Sequence, residues 1–486
     1  MEQTEQTEQR IKGVQVNVHG LRRIKRTNVN FLFDDIKKSK NVEELFWEIS
    51  RCNNKIQSLN IFEGEPVIKL RRTTETDVEV NYIIKERNNN YVIGTNVNNR
   101  GEVTGDFEVH MPYIFKSINS IEFKSNISSL YTNNFAIRFL IPQISKKINF
   151  NLILEANLSN INNTQHASYM IKTNSFKTIL VNQNHTLIWD ISYNTIFHKI
   201  CKNFIPSDFV LKIPGNYIKH SLRHVYKNNQ LRYDLPALEK CTNESVHLKV
   251  GTNGGTKGNI KGDSNPDDQG GWHGNPGQTH TNYPTSGYFY QVENEISLPF
   301  CECNFFRNHF HYLFVKRLSN KMFTYMMFTN GIKHDFNKAN PYHLGAFHFS
   351  GSIGSSLTFR GFEHNSIGNT DVCYKFNRKK RDYEINYNYL GSNFITSFQL
   401  VFKYILNFQN INPILFFYVQ LGRLSNQFFS SFNQLKNDTR VSVGIGFMTY
   451  IQRNVSLELF FNYPLLHQLT DRTKYFQVGL NFKGML

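Results

Sequence analysis

The chain has 486 residues, enough for two or three soluble domains or for one small domain and one large barrel. Apolar residues make up 40%, yet aromatics reach 14%, with 42 Phe and 24 Tyr against 3 Trp, and mean hydropathy is -0.44; aromatic groups without a hydrophobic average suit strands that show an apolar side chain only at every second position. A formal charge of +17 would ordinarily point to nucleic acid or an anionic surface, but Lys, Asn, Ile, Tyr and Phe are over-used throughout. The basic clusters Arg22–Arg26 and Arg378–Arg381 read as solvated turns, so no nucleic-acid partner is expected.

Residues 1–10, MEQTEQTEQR, form an acidic tail expected to be disordered, neither a secretory signal nor an Arg-rich transit peptide. No window approaches the roughly 18 consecutive apolar residues that a spanning helix needs, and the best, Pro413–Leu421, is half that. A membrane protein of this sequence must therefore cross with strands closed into a barrel, because nothing else satisfies every backbone group in lipid.

Residues 11–90 read as one small α/β domain. Ile11–Val18 is a strand, Asn28–Lys37 and Val42–Cys52 are helices, and Pro66–Arg71 and Val78–Glu86 are strands, in the order β-α-α-β-β. The second helix opens with Asn41 followed three residues later by Glu44, a start resembling a capping box.

From residue 91 to residue 486 helical periodicity gives way to alternation. Phe135, Ile137, Phe139 and Ile141 interleave with polar or small residues, as do Leu152 to Leu158, Val441 to Phe447, Val455 to Tyr463 and Phe476 to Phe482. At about 25 residues per strand and loop, this span has room for roughly sixteen antiparallel strands. Alternation alone leaves a soluble β-sandwich open. Gly251–Gly287 breaks the rhythm with ten of the 29 glycines and reads as a disordered, dispensable loop insertion.

Sites of covalent chemistry are scarce. Gly351–Ser356 has the glycines of a phosphate-cradling loop without its Lys. His309 and His311 share a strand face near Cys301 and Cys303, but lumen-facing histidines explain them without a metal. The six cysteines fit neither a disulfide framework nor a zinc signature and are expected to be free thiols. No enzyme activity, cofactor or metal is expected.

Leu357–Glu363, reading LTFRGFE, lies in a long segment between strand-like runs. It resembles the RGF loop of the outer-membrane barrel insertase and translocase superfamily, with Arg360, Gly361 and Phe362 on the motif and Phe359 where Val or Ile is usual. Gly13–Asn28, GVQVNVHGLRRIKRTN, and Leu59–Phe62 resemble the single POTRA domain of the central barrel subunit of the mitochondrial sorting and assembly machinery (SAM). Phe416–Gly422, Val443–Phe447 and Asn454–Tyr463 resemble its closing strands. Tyr475-Phe476-Gln477-Val478-Gly479-Leu480-Asn481-Phe482 looks like a terminal β-signal, although Gly484 stands where a final hydrophobe is common.

The resemblance implies a transmembrane all-β protein: a POTRA domain over 11–90, facing the intermembrane space with the N-terminus, and a barrel over 91–486 in the mitochondrial outer membrane. It implies a loop, 351–368, folded into the lumen, and a lateral gate between the first strand and Tyr475–Phe482. Its partners would be client β-barrel precursors, accessory SAM-type subunits and the lipid bilayer. A plastid-type import channel of the same superfamily is the nearest alternative, and a passive metabolite porin a more distant one. Within this frame Glu458, on the inward side of its strand, is expected to pair with Arg360, and Gln420 is a second candidate partner.

Overall fold

The computed structural model describes residues 11–485 apart from 60, 75, 98–101, 143–149, 199–203, 214, 233, 236–278, 281–283, 303, 337–345, 350–358, 378, 407–412, 428–431 and 453–454. The acidic tail, the Gly351–Ser356 stretch and all but the last residues of the Gly251–Gly287 segment thus lie outside the described residues.

The N-terminal domain is a three-stranded sheet of Gly13–His19, Val67–Arg72 and Asp77–Ile83, with the last in the middle, parallel to the first and antiparallel to the second. Helix α1, Val42–Ser58, covers one face. Its buried stripe, Leu45, Ile49, Cys52 and Ile56, recurs every three or four residues as a one-sided helix requires. The Asn41 side chain accepts from the Glu44 amide at 2.7 Å, and Glu44 answers by accepting from the Lys40 amide, one residue earlier than a strict capping box. The expected helix over Asn28–Lys37 is instead three 3₁₀ turns, Arg26–Asn28, Asn30–Phe33 and Ile36–Lys38. Val29, Leu32, Phe33 and Ile36 still point into the core, and none of these turns has a side-chain cap.

Sixteen strands follow and close on themselves. In chain order they are β1 Asn90–Val97, β2 Val103–Pro112, β3 Ser120–Ser128, β4 Asn134–Ile141, β5 Asn151–Asn162, β6 Tyr169–Val181, β7 His185–His198 and β8 Asn216–Asn229. The second half comprises β9 Gly287–Ser297, β10 Phe305–Arg317, β11 Met322–Asp335, β12 Phe394–Ile405, β13 Ile414–Ser425, β14 Thr439–Gln452, β15 Val455–Leu466 and β16 Phe476–Met485. Each pairs antiparallel with the next, and β16 pairs with β1. No helix among the described residues is long and apolar enough to cross a membrane.

Strand β13 displays the alternation most plainly. Leu415, Phe417, Val419 and Leu421 are 37 to 48% exposed outward, while Ile414, Phe416, Tyr418 and Gln420 are buried on the lumen side. The lumen side holds ion pairs such as Glu155, which receives Arg138 at 2.5 Å and Lys177 at 3.1 Å.

With an even strand number, both barrel ends of the chain lie on the side of the N-terminal domain. That domain is tied to the β2–β3 turn. Tyr113 and Ile118 belong to the domain's own core, the Tyr113 hydroxyl donates to the Ile61 carbonyl, and the Lys116 carbonyl accepts from Lys25 and Asn28. The β8–β9 connection opens on the same side. There Thr279–His280 pairs with Asp234–Leu235, Tyr325 donates to the Pro284 carbonyl, and Gly287 begins β9, so the far end of the expected insertion is structured.

Candidate functional site

The long β11–β12 connection, on the side opposite the domain, carries the FRGF stretch, whose described residues 359–362 pack against inward residues of β12–β16. Phe359 and Phe362 are almost fully buried and stack in series with Phe349, centroids 4.6 and 5.5 Å apart, over Ile395 and Leu424. A Cβ at Gly422 would lie 2.8 Å from Phe349, so a glycine on β13 makes this seat. Gly361 adopts φ +90, where side chains are strained, and a Cβ there would stand 2.7 Å from Ser442 Oγ.

Arg360 lies against the inward face of the wall formed by β13 and β15. Its guanidinium lies over three rings, Phe460 at 4.8 Å, Tyr418 at 5.3 Å and Phe416 at 5.9 Å, which alternate inward on β13 and β15. Gln420 does meet this residue, but through the backbone: the Arg360 amide donates to Gln420 Oε1 at 3.0 Å. Glu458 faces inward beside Arg360 and is an electrostatic neighbour of both Arg360 and Lys403. The expected Arg360–Glu458 ion pair is not formed; among the described residues Arg360 has no ion pair, and its Nε finds no acceptor. Aromatic faces stand where a carboxylate was expected, and Glu458 is shared between two cations.

From this seat a polar chain runs to the final strand. Tyr418 donates to Asn462, Asn462 donates to Gln477 Oε1 at 3.1 Å, and Gln477 Nε2 donates to the Phe362 carbonyl at 3.0 Å. Backbone bonds from Lys474 to Gly361 and from Glu363 to Arg472 fasten the loop to the β15–β16 connection. That connection is clamped in turn by a buried pair, Arg440 Nε to Asp471 at 2.5 Å, with Arg440 also bonding the Asn437 carbonyl. Sequence reasoning missed Arg440, Asp471 and Asn462, because a loop carboxylate meeting a strand cation from another hairpin leaves no periodic trace.

Of the expected gate residues, Tyr475 precedes β16 and its carbonyl accepts from the Asn462 amide. Phe476 and Val478 face outward, and Gln477 is buried inward. Leu480, Asn481 and Phe482 pair with Val97, Asn96 and Thr95 of β1. That closing ladder has six described residue pairs, against seven for β15–β16 and thirteen for β10–β11. Phe476–Gly479 pairs with β15 but with no described residue of β1. The seam is the shortest ladder of the barrel among the described residues, and Gln477 of β16 also bonds the loop.

His309 and His311 both face the lumen, His309 beside Phe347 and His311 bonded to Thr329. Cys52 and Cys373 are buried free thiols and Cys301 is buried; the other three cysteines lie outside the described residues.

This sixteen-stranded fold has solved counterparts. BamA from Haemophilus ducreyi lacking POTRA domains 1–3 superposes with a TM-score of 0.67 at 14% identity, covering 98% of this chain and 84% of that one. The fold is that of a BamA-type barrel. CdiB from Acinetobacter baumannii, with a TM-score of 0.53 at 10% identity over 98% and 74%, and CdiB from Escherichia coli, 0.51 at 10% over 98% and 76%, are also similar. No protein-family model and no curated protein sequence matches the chain.

Proposed function

We propose that this BamA-like barrel inserts β-barrel proteins into the mitochondrial outer membrane, receiving the β-signal of a client at the seam between β16 and β1. The N-terminal domain, read as a POTRA domain, faces the intermembrane space. The observation that carries this reading is the seam: among the described residues six pairs close the sixteen strands, and Gln477 of β16 also bonds the RGF loop. A strand edge with few partners is a template for an incoming strand. Likeness to BamA and CdiB barrels supports the broader statement, protein insertion or secretion at an outer membrane; the mitochondrial assignment and the client signal rest on the FRGF, POTRA-like and terminal stretches. Strand exchange makes and breaks hydrogen bonds only, so the reading needs no enzymatic step and no cofactor.

Depletion tests it. Assembled mitochondrial porin and import-pore barrels should fall while matrix proteins are initially unchanged. Normal barrel assembly after thorough depletion would overturn the reading.

A further inference from the structure

The outward wall of the barrel is not uniform. On β13, β14 and β15, every outward residue across Leu415–Leu421, Val441–Phe447 and Leu457–Leu465 is aliphatic or aromatic. The opposite wall differs. On β6–β11 the unbroken registers put Asn174, His220, His224, Asn294, Asn308 and Asn330 on the same outward face as Phe176, Ile218, Ile296 and Phe398. His224 and Asn174 stand near the middle of their strands. Asn is over-used throughout the sequence, yet those stretches of β13–β15 have none facing outward, so composition alone does not place these residues.

Part of this polarity is satisfied within the wall. Trp189 donates to His220 at 2.8 Å, His185 and His224 lie nitrogen to nitrogen at 3.2 Å, and Asn308 donates to Asn294 at 2.7 Å. His220 is also met at its other nitrogen by the Pro299 carbonyl, whereas the bonds of His224, Asn294 and Asn308 each use one end of an amide or imidazole and leave another. Leaving such groups against acyl chains costs free energy, whereas protein can answer them.

We propose that the β6–β11 wall, opposite the seam, is the contact face for a second copy of this chain. The face carries no carboxylate among its outward positions, and its cations, Lys172 and Lys316, stand near opposite ends of the wall. A charged partner would leave its charge unanswered in the membrane. Amides and imidazoles are donors and acceptors at once, so the same patch satisfies itself across a two-fold axis. Two barrels back to back leave both seams facing lipid, where a client must emerge.

This inference rests on the membrane-barrel reading, and the test separates the two. His224→Cys and Asn308→Cys, each alone in the full-length protein, are oxidised in native membranes, with Phe417→Cys and Ile445→Cys on the opposite wall as controls and the unaltered chain as background. Resistance to alkaline carbonate extraction establishes that each variant is integral; release by carbonate would overturn the barrel reading itself. With integral protein, the first two should give a disulfide-linked band at twice the chain mass, at least tenfold above the controls. Equal yields from both walls, no dimer, or an adduct with a different protein would overturn self-association.

Discussion

At Arg360 the guanidinium is held by three ring faces rather than by a carboxylate, and this changes what substitution should do. Arg360→Ala removes cation–π contacts worth about 2 kcal/mol when desolvated and releases the loop, whereas Glu458→Gln leaves those contacts intact. Barrel assembly in cells carrying each variant should therefore fall severely for Arg360→Ala and mildly for Glu458→Gln; equal defects would restore the direct pair. Arg360→Lys should rescue poorly, because an ammonium lacks the planar face that stacks. Gly361→Ala should cost about 1–2 kcal/mol from left-handed backbone alone, before Ser442 is displaced, and should lower the unfolding midpoint of the folded band in heated electrophoresis. In the N-terminal domain, burial pushes the Cys52 thiol up to about 12. At pH 8 it is protonated in the folded state, so alkylation should run roughly a thousandfold slower than for an ordinary exposed thiol and recover on unfolding. Fast labelling in native buffer would contradict the packing of α1.

Among the elements, the β15–β16 hairpin is the junction of loop, clamp and seam. Arg440 and Asp471 are buried together, so Arg440→Ala strands a carboxylate and should cost about 3–5 kcal/mol, while Arg440→Met with Asp471→Leu should cost less than either single change. Thermal unfolding of the purified protein reads this directly, and additive losses would mean the two do not act as a pair. The strands of this region are legible in the sequence because an apolar outside and a polar lumen impose a period of two, visible in the residue order of Val455 to Tyr463 alone. The seating of the FRGF loop is legible only as a resemblance. Its aromatic cage is not, since Phe416, Tyr418 and Phe460 read as ordinary strand residues whose shared target comes from another part of the chain. The first helix expected in the domain fails for a different reason: Val29, Leu32, Phe33 and Ile36 carry helical spacing, and short 3₁₀ turns bury the same four residues.

As a whole, the molecule divides at the seam into two fastened blocks. On one side β1 follows directly from the N-terminal domain, whose core takes in Tyr113 of the β2–β3 turn. On the other, β16 is bound to β15, the FRGF loop and the Arg440–Asp471 clamp. Between them stand the six described pairs of the closing ladder, the shortest of the barrel among the described residues. The most direct test is to seal it. Gly94 and Lys483 are register partners, so Gly94→Cys with Lys483→Cys can be joined by mild oxidation in isolated mitochondria before a radiolabelled porin precursor is imported. The account predicts that the oxidised protein stops assembling the precursor and regains the activity when dithiothreitol reopens the bond, with each single cysteine variant unaffected. Undiminished assembly by the fully cross-linked protein would contradict a client path through the β1–β16 seam.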